Sequence, residues 1–210
     1  MKKLKYIILG VILSSLLVSS FSFSQEEKVI FCETYTLHEL ISILDSDEKL
    51  FTLVEKNASD PESSKIGTCQ KADLDAIWNY IQSQAFQSKV PEDLLIAPGI
   101  ENADQMIPLF AVRKSTSNNV FPEKQDLEEV SIRANEQADN YELYISFSNS
   151  GADKWASMTR QNKGRDIAIL FQGRVIAAPR VREEIKHGKC VISGKFTESE
   201  IHSLKAAIEN

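Results

Sequence analysis

The residues of this chain that could carry out chemistry are few and scattered. His187 and Cys190 are the closest pair that could bind a metal or act as base and nucleophile, while His38 and His202 are distant in the sequence. A closed zinc site needs four ligands, and a cysteine nucleophile needs a base and an orienting group. The chain contains no CxxC, HExxH, GxSxG, GxGxxG or Walker motif. The sequence therefore predicts no catalytic residue, no metal site and no cofactor.

The charge balance limits the possible partners. The 210 residues include 24 basic and 30 acidic side chains, giving a formal net charge of −6. Three lysines lie within the first 24 residues, so 21 basic residues stand against 30 acidic ones in the remainder, a net charge of −9. Binding to nucleic acid through its phosphates needs a basic face. We therefore expect no nucleic-acid partner.

One basic cluster stands out in this acidic chain. It favours contact with an acidic partner, and Arg180 and Arg182 are its candidate partner-binding residues. The alternative interpretation is a solvated helix end and strand edge. The cluster comprises Arg160, Lys163, Arg165, Arg174, Arg180, Arg182, Lys186 and Lys189.

Residues 1–24 have the form of a secretory signal peptide. The first five residues include three lysines, residues 6–18 are uncharged and largely apolar, and Ser22-Phe23-Ser24 places small residues where a signal peptidase reads them. We expect the mature chain to start at Gln25 and to be periplasmic or secreted. An uncleaved anchor is the alternative, because residues 6–23 approach the length of a membrane span. No later segment of the sequence is long and apolar enough to be an integral membrane segment.

Export makes a disulfide possible among Cys32, Cys69 and Cys190. We expect the pair Cys32–Cys69, because both residues lie in the same N-terminal segment. Such a loop closure stabilises a protein by roughly 3–4 kcal/mol. Three buried thiols are the alternative.

Residues 25–70 are predicted to form a small helical segment. Thr36 and Glu39 have the spacing of a capping box, which places a helix start at Thr36. A second short helix is expected around residues 50–54, and residues 57–67 form a polar loop that is the best candidate linker. Beyond this loop, the apolar spacing of residues 74–81 predicts a further helix.

The last 70 residues predict an α+β domain. Residues 142–148 alternate as a strand with one wet face, and Ser150 with Asp153 predicts a helix start. Residues 167–171 form an apolar strand, which Gln172-Gly173 turns into the next strand. A short strand at 190–193 and a capping box at Thr197 and Glu200 complete the series. This order favours a ferredoxin-like antiparallel sheet with helices packed on one face.

Within this region the sequence resembles the head of the first periplasmic domain of SecD and SecDF, accessory subunits of the bacterial protein-export channel. The similarity is specific over residues 141–208 and looser from residue 71, so we divide the chain into 1–24, 25–70 and 71–210. The residues that carry it are Gly151-Ala152, Lys154-Trp155, Met158-Thr159, Asn162, Gly164, Ile167-Ala168-Ile169, Gly173, Val175, Ala178-Pro179, Glu184-Ile185, Gly188, Ile192-Ser193-Gly194, Phe196 and Glu200.

Much of this motif specifies the fold. We expect Gly151 to let a strand turn directly into a helix, and Gly173 to supply a positive φ in a turn. Asn162 and Gly164 suit a helix end. The full set of fold-specifying residues is Gly151, Asn162, Gly164, Gly173, Pro179, Gly194 and Phe196.

The resemblance implies a non-catalytic module that contacts polypeptide or envelope and export proteins. Proton-driven movement does not carry over, because the charged membrane helices of SecD have no counterpart after Phe23. The hairpin of Phe171, Gln172, Gly173 and Arg174 is the candidate contact, where an extended chain could add as a strand. One alternative is a structural envelope protein that self-assembles or docks on the export machinery. Another is a hydrolase with an unrecognised carboxylate or Cys190 site.

Overall fold

A computed structural model describes residues 28–45, 47–114, 121–135 and 140–210. The predicted signal peptide, residues 1–24, lies outside the described residues. The helices are α1 (Leu37–Leu44), α2 (Lys49–Leu53), α3 (Leu74–Ile81), α4 (Gln84–Gln87), α5 (Asn149–Gln161) and α6 (Glu198–Glu209). The strands are β1 (Val29–Cys32), β2 (Glu55–Lys56), β3 (Lys65–Gln70), β4 (Leu94–Pro98), β5 (Met106–Arg113), β6 (Leu127–Asn135), β7 (Asn140–Phe147), β8 (Ala168–Phe171), β9 (Arg174–Ala177) and β10 (Lys189–Phe196).

The N-terminal part is a four-stranded antiparallel sheet of order β2-β3-β5-β4, with helices α1 to α3 packed against it. Helix α1 begins where the sequence predicts, because Thr36 and Glu39 form a complete capping box. Its buried face consists of Leu37, Leu40 and Leu44, the spacing of an amphipathic helix. These side chains share one hydrophobic cluster with Ile66 of β3.

The C-terminal part is a three-stranded antiparallel sheet of order β10-β7-β6. Helices α5 and α6 bury Trp155 and Ile201 in the same cluster as Leu143 and Ile145 of the central strand. The second capping box, at Thr197, is also present. Helix α5 starts two residues earlier than expected, because Ser148 rather than Ser150 accepts the hydrogen bond from the backbone of Gly151.

A third antiparallel sheet, of order β1-β8-β9, joins the two parts. Strand β1 pairs with β8 from Val29 opposite Phe171 to Cys32 opposite Ala168. Isolated bridges link Gly99 to Val175 and Thr34 to Val112. The strands β5, β4, β9, β8 and β1 therefore follow one another in a closed ring. A small cluster that includes Cys32, Ala97, Val112, Ala168, Leu170 and Val175 is buried there.

The α+β class with antiparallel sheets and packed helices is confirmed. The described strands form three sheets, whereas the sequence predicted one. The two predicted helices of residues 25–70 are present as α1 and α2. Strands β1, β2 and β3 were not predicted, and β1 and β3 pair with β8 and β5. Phe31 of β1 contacts the rings of Phe121, Phe147 and Trp155. The division at residue 70 stays a prediction, and these contacts cross it.

The structure does not form the Cys32–Cys69 disulfide. Cys69 lies opposite Ile107 on β5, whereas Thr34, two residues after Cys32, bridges Val112 on the same strand. The five residue steps from Ile107 to Val112 on β5 span roughly 16 Å, while the Cα atoms of a disulfide lie about 4.4–6.8 Å apart. Both cysteines are buried, in two different clusters. The interpretation as buried thiols fits this arrangement.

Candidate functional site

The hairpin of β8 and β9 ends in the tight turn that the sequence predicts. Phe171 pairs with Arg174, and Gln172 and Gly173 between them have φ values of 49° and 75°. Two positive φ values are typical of the turns that join antiparallel strands with two residues, and glycine adopts them without strain. Gln172 and Arg174 are exposed at the tip, while Phe171 is half-buried.

A groove lies between this hairpin and the first half of α6. It has a volume of about 340 Å³. Its apolar lining combines Phe171 with Ile176, Phe196 and Leu204, and Ile100 stands beside it with 50% of its surface exposed. The polar lining residues are Gln172, Arg174, Ser199, Glu200 and Ser203. An apolar lining with a few polar groups is typical of a binding site.

The two charged residues of the groove, Glu200 and Arg174, differ in the hydrogen bonds that they make. Glu200 accepts hydrogen bonds from the backbone and the hydroxyl of Thr197, at 2.9 and 2.8 Å, and these bonds lower the pKa of Glu200. Arg174 donates only a long hydrogen bond of 3.4 Å to the carbonyl of Gly99, and forms no ion pair with any described residue. The groove therefore presents one available cation.

Arg180 lies away from this groove and serves a different role. Its Nε donates to Oδ1 of Asp166 at 2.9 Å, and its Nη2 to Oδ2 of Asp60 at 3.2 Å. Asp166 is buried, and its Oδ2 also accepts from the backbone and hydroxyl of Ser64, at 2.7 and 2.8 Å. Arg182 is exposed and makes no ion pair within the described part of the chain. The predicted partner-binding set is thus divided between a groove, a structural ion pair and an open surface.

The glycines of the fold-specifying motif act in different ways. A Cβ at Gly151 would lie 2.1 Å from the carbonyl oxygen of Asp126, so the close approach of two backbones requires glycine there. Gly164 has a φ of 84° after the end of α5, with open space around it. A Cβ at Gly194 would lie 2.8 Å from the ring of Phe196, a residue of the groove.

Asn162 and Pro179 support neighbouring parts of the same region. The amide of Asn162 donates to the carbonyl of Met158 and to Oε1 of Glu33, which links the end of α5 to the residue after β1. The carbonyl of Pro179 accepts from the backbone of Ile167.

The thiols of Cys69 and Cys190 are poorly suited to catalysis. Burial raises the pKa of Cys190 to about 12 and, with a smaller contribution from the charge of Asp73, the pKa of Cys69 to about 11. The reactive thiolate is therefore strongly disfavoured at neutral pH. Residues 28–45, 47–114, 121–135 and 140–210 contain no group of three potential metal ligands.

The sequence interpretation found the hairpin and missed the other wall of the groove. Ile100 follows Pro98-Gly99 in a polar stretch, and an isolated apolar residue in such a loop was the available signal. Ser199 and Ser203 carried no signal, because their side chains are typical of any exposed helix face. Their position beside the hairpin follows only from the packing of α6.

This architecture is an α+β fold of antiparallel sheets with a surface groove, and part of the chain is similar to a known family. Residues 111–210 match the family model described as SecDF, P1 head subdomain. None of the described helices is both long and apolar enough to cross a membrane.

Similar proteins are translocase subunits by name. The protein translocase subunit SecD of Acidaminococcus fermentans is 32% identical over 112 residues, which is 51% of this chain and 27% of that protein. Protein translocase subunit SecDF of Thermus thermophilus is 33% identical over 69 residues, 33% of this chain and 9% of that protein. This chain therefore corresponds to about a quarter or less of the length of these two relatives.

A solved structure described as "Structure and function of a membrane component SecDF that enhances protein export" also matches. It has 18% sequence identity and a TM-score of 0.38, over 86% of this chain and 92% of that one.

Proposed function

We propose that this protein is a non-catalytic accessory module of protein export that binds extended polypeptide in the groove between the β8–β9 hairpin and α6. The relatives are named translocase subunits, and residues 111–210 match the SecDF P1 head subdomain. The observation that carries the proposal is the groove itself, which lies at the hairpin that the sequence singled out.

The dimensions and chemistry of the groove suit a short stretch of unfolded chain. Its volume of about 340 Å³ is at the small end of the range for ligand sites, which fits a few side chains better than a folded partner. Phe196 and Leu204 give it an apolar base, and Arg174 and Gln172 offer hydrogen-bond donors at its rim. Apolar contact would supply the affinity, and the hydrogen-bond donors of the rim would orient the bound segment.

Strand addition is restricted at this place. Strand β9 ends its sheet, but the bridge between Gly99 and Val175 occupies the middle of its outer edge. A bound segment therefore relies on side-chain contacts in the groove, with few additional backbone hydrogen bonds.

The proposed setting is the periplasmic side of the export machinery. The predicted signal peptide and the family of the matched segment support this location. The raised pKa values of the Cys69 and Cys190 thiols support a role without covalent catalysis.

The experiment uses two exposed isoleucines as a matched pair. Ile100 borders the groove and is 50% exposed, while Ile41 lies on α1 and is 38% exposed. Burying the rest of an isoleucine side chain contributes about 1 kcal/mol, so Ile100→Asp should weaken binding by roughly five-fold. Binding to a reduced and alkylated unfolded protein is measured by fluorescence anisotropy.

Ile41→Asp is expected to bind like the unmodified chain, because it changes the same residue type outside the groove. Equal affinities for the two variants would exclude the groove as the binding site. An unmodified chain with no affinity for the unfolded protein would reject polypeptide binding as a whole.

A further inference from the structure

We propose that Arg174 makes the groove selective for one class of extended polypeptide, in which a carboxylate side chain lies close to a large apolar one. This inference rests on the proposed function and deepens it, because it names the class of segment that the groove prefers. The carboxylate would pair with Arg174, and the apolar side chain would enter the groove.

The hairpin presents Arg174 and apolar side chains on the same face. Side chains two residues apart on a strand point to the same side, and so do those of two residues paired across antiparallel strands. Arg174 therefore shares its face with Ile176 and with Phe171, its partner across the turn, and all three line the groove. Val175 points the other way and is buried in a separate cluster. A bound chain with an apolar side chain on this face brings its neighbouring residues within reach of the guanidinium.

The base of the groove accounts for the apolar part of this preference. Phe196 and Leu204 are buried there, in the cluster that α6 shares with the C-terminal sheet. Their side chains carry no hydrogen-bonding group, so a polar side chain placed on them would lose its water without gaining a partner. An apolar side chain at this position is therefore favoured.

The charges of the groove account for the acidic part of the preference. Among the described residues, the guanidinium of Arg174 makes no ion pair and donates only one long hydrogen bond, of 3.4 Å, to the carbonyl of Gly99. The planar guanidinium matches the geometry of a carboxylate. Glu200 also lines the groove, but its Oε2 already accepts from the backbone and hydroxyl of Thr197 at the start of α6, where the helix dipole favours a negative charge. Arg174 is therefore the charged side chain of the lining that a ligand can pair with.

The net charge of the whole chain favours the opposite selectivity, which makes the proposal easy to distinguish. With a formal net charge of −6, the chain should attract a cationic peptide at long range. At physiological ionic strength the Debye length is about 8 Å, so distant charges are largely screened and a direct contact dominates. A preference for acidic segments would therefore indicate contact with Arg174.

Three short peptides test the proposal, and fluorescence anisotropy measures their binding to the exported protein. Each contains a leucine and, two positions away, an aspartate, an asparagine or a lysine. Both ends are capped, so the aspartate side chain supplies the only carboxylate. We expect the aspartate peptide to bind about three-fold more tightly than the asparagine peptide, and the lysine peptide about three-fold more weakly, as for an exposed ion pair.

Arg174→Glu should reverse the order of the aspartate and lysine peptides, because repulsion replaces attraction, and should leave the affinity for the asparagine peptide nearly unchanged. Arg182→Glu is the control, since Arg182 is also exposed but lies outside the groove lining, and it should preserve the order. Equal affinities for the three peptides, or an order that survives Arg174→Glu, would overturn the proposal while leaving polypeptide binding intact. If the unmodified chain bound none of the peptides, the proposed function would fail and this proposal with it.

Discussion

Arg180 and Arg182 are two residues apart, yet only Arg180 is held by carboxylates. It compensates the buried charge of Asp166, to which the backbone and hydroxyl of Ser64 also donate. A buried carboxylate that loses its cation keeps the cost of its desolvation. Arg180 therefore connects the loop before β3 to Asp166, which lies just before β8. Arg182 makes no such connection within the described residues.

We predict that Arg180→Ala lowers the free energy of unfolding by about 1–3 kcal/mol, because it leaves Asp166 without its cation. Arg182→Ala should change it by less than about 0.5 kcal/mol, as expected for an exposed residue. Urea denaturation followed by circular dichroism measures both. Equal effects of the two substitutions would contradict the structural role of Arg180.

The two glycines at the ends of α5 predict different costs for the same substitution. Gly151→Ala places a methyl group against the backbone of Asp126 and should destabilise the protein by about 2–3 kcal/mol. Gly164→Ala meets open space and should cost only about 1 kcal/mol, from its left-handed backbone. Chemical denaturation distinguishes them, and the reverse order would contradict the close approach at Gly151.

Among the elements, helix α1 is tied to the C-terminal part through its cap. Burial opposes the ionisation of Glu39, but hydrogen bonds from Arg165 and from the backbone of Thr36 outweigh it and hold the pKa of Glu39 below its ordinary value. In α6 the equivalent Glu200 binds only Thr197. Glu39 therefore links two elements, whereas Glu200 caps one.

Glu39→Gln should cost about 1–2 kcal/mol at pH 7, and Glu200→Gln about 0.5–1 kcal/mol. A lowered carboxylate pKa adds stability above the unfolded pKa of about 4.3, and this stability is lost as the pH falls through the folded value. The difference between the unmodified chain and Glu39→Gln should therefore shrink below about pH 4. Thermal unfolding at several pH values measures this, and a constant difference down to pH 2.5 would contradict the ion pair.

Sequence reasoning reached the elements whose signals are local. The capping boxes at Thr36 and Thr197 and the turn at Gln172-Gly173 are each decided within four residues, and all three are present. Strand β1 could not be found in this way, because its partner β8 lies far along the chain. Thr34 and Asp166, which share a hydrogen bond, are 132 residues apart. No local periodicity encodes such a pairing.

Only one wall of the groove could be predicted, because only that wall has a local sequence signal. Its hairpin wall follows from a two-residue turn between apolar strands. Its helical wall depends on the orientation of α6 across the β10-β7-β6 sheet, which long-range packing determines. Arg180 and Arg182 looked equivalent in the sequence, since the buried position of Asp166 could not be read from its neighbours.

At the scale of the whole molecule, the contacts between the parts predict cooperative unfolding. Trp78 packs against the N-terminal cluster and Trp155 lies within the C-terminal one. Strand β1 and the Asp166 hydrogen bonds cross between these parts. Single-tryptophan variants, Trp78→Phe and Trp155→Phe, should show coincident urea transitions by fluorescence after allowance for their own stabilities. Two separate transitions within one variant, by fluorescence and circular dichroism, would indicate independent units.

The most direct test of the account places a photo-crosslinking amino acid at Gln172, on the exposed tip of the hairpin, in cells that are exporting protein. The account predicts covalent adducts with exported polypeptides in transit. The same group at Lys163, which is also exposed but lies outside the groove, should give few or none. Adducts of equal amount at both positions, or none at Gln172, would contradict polypeptide binding at the groove.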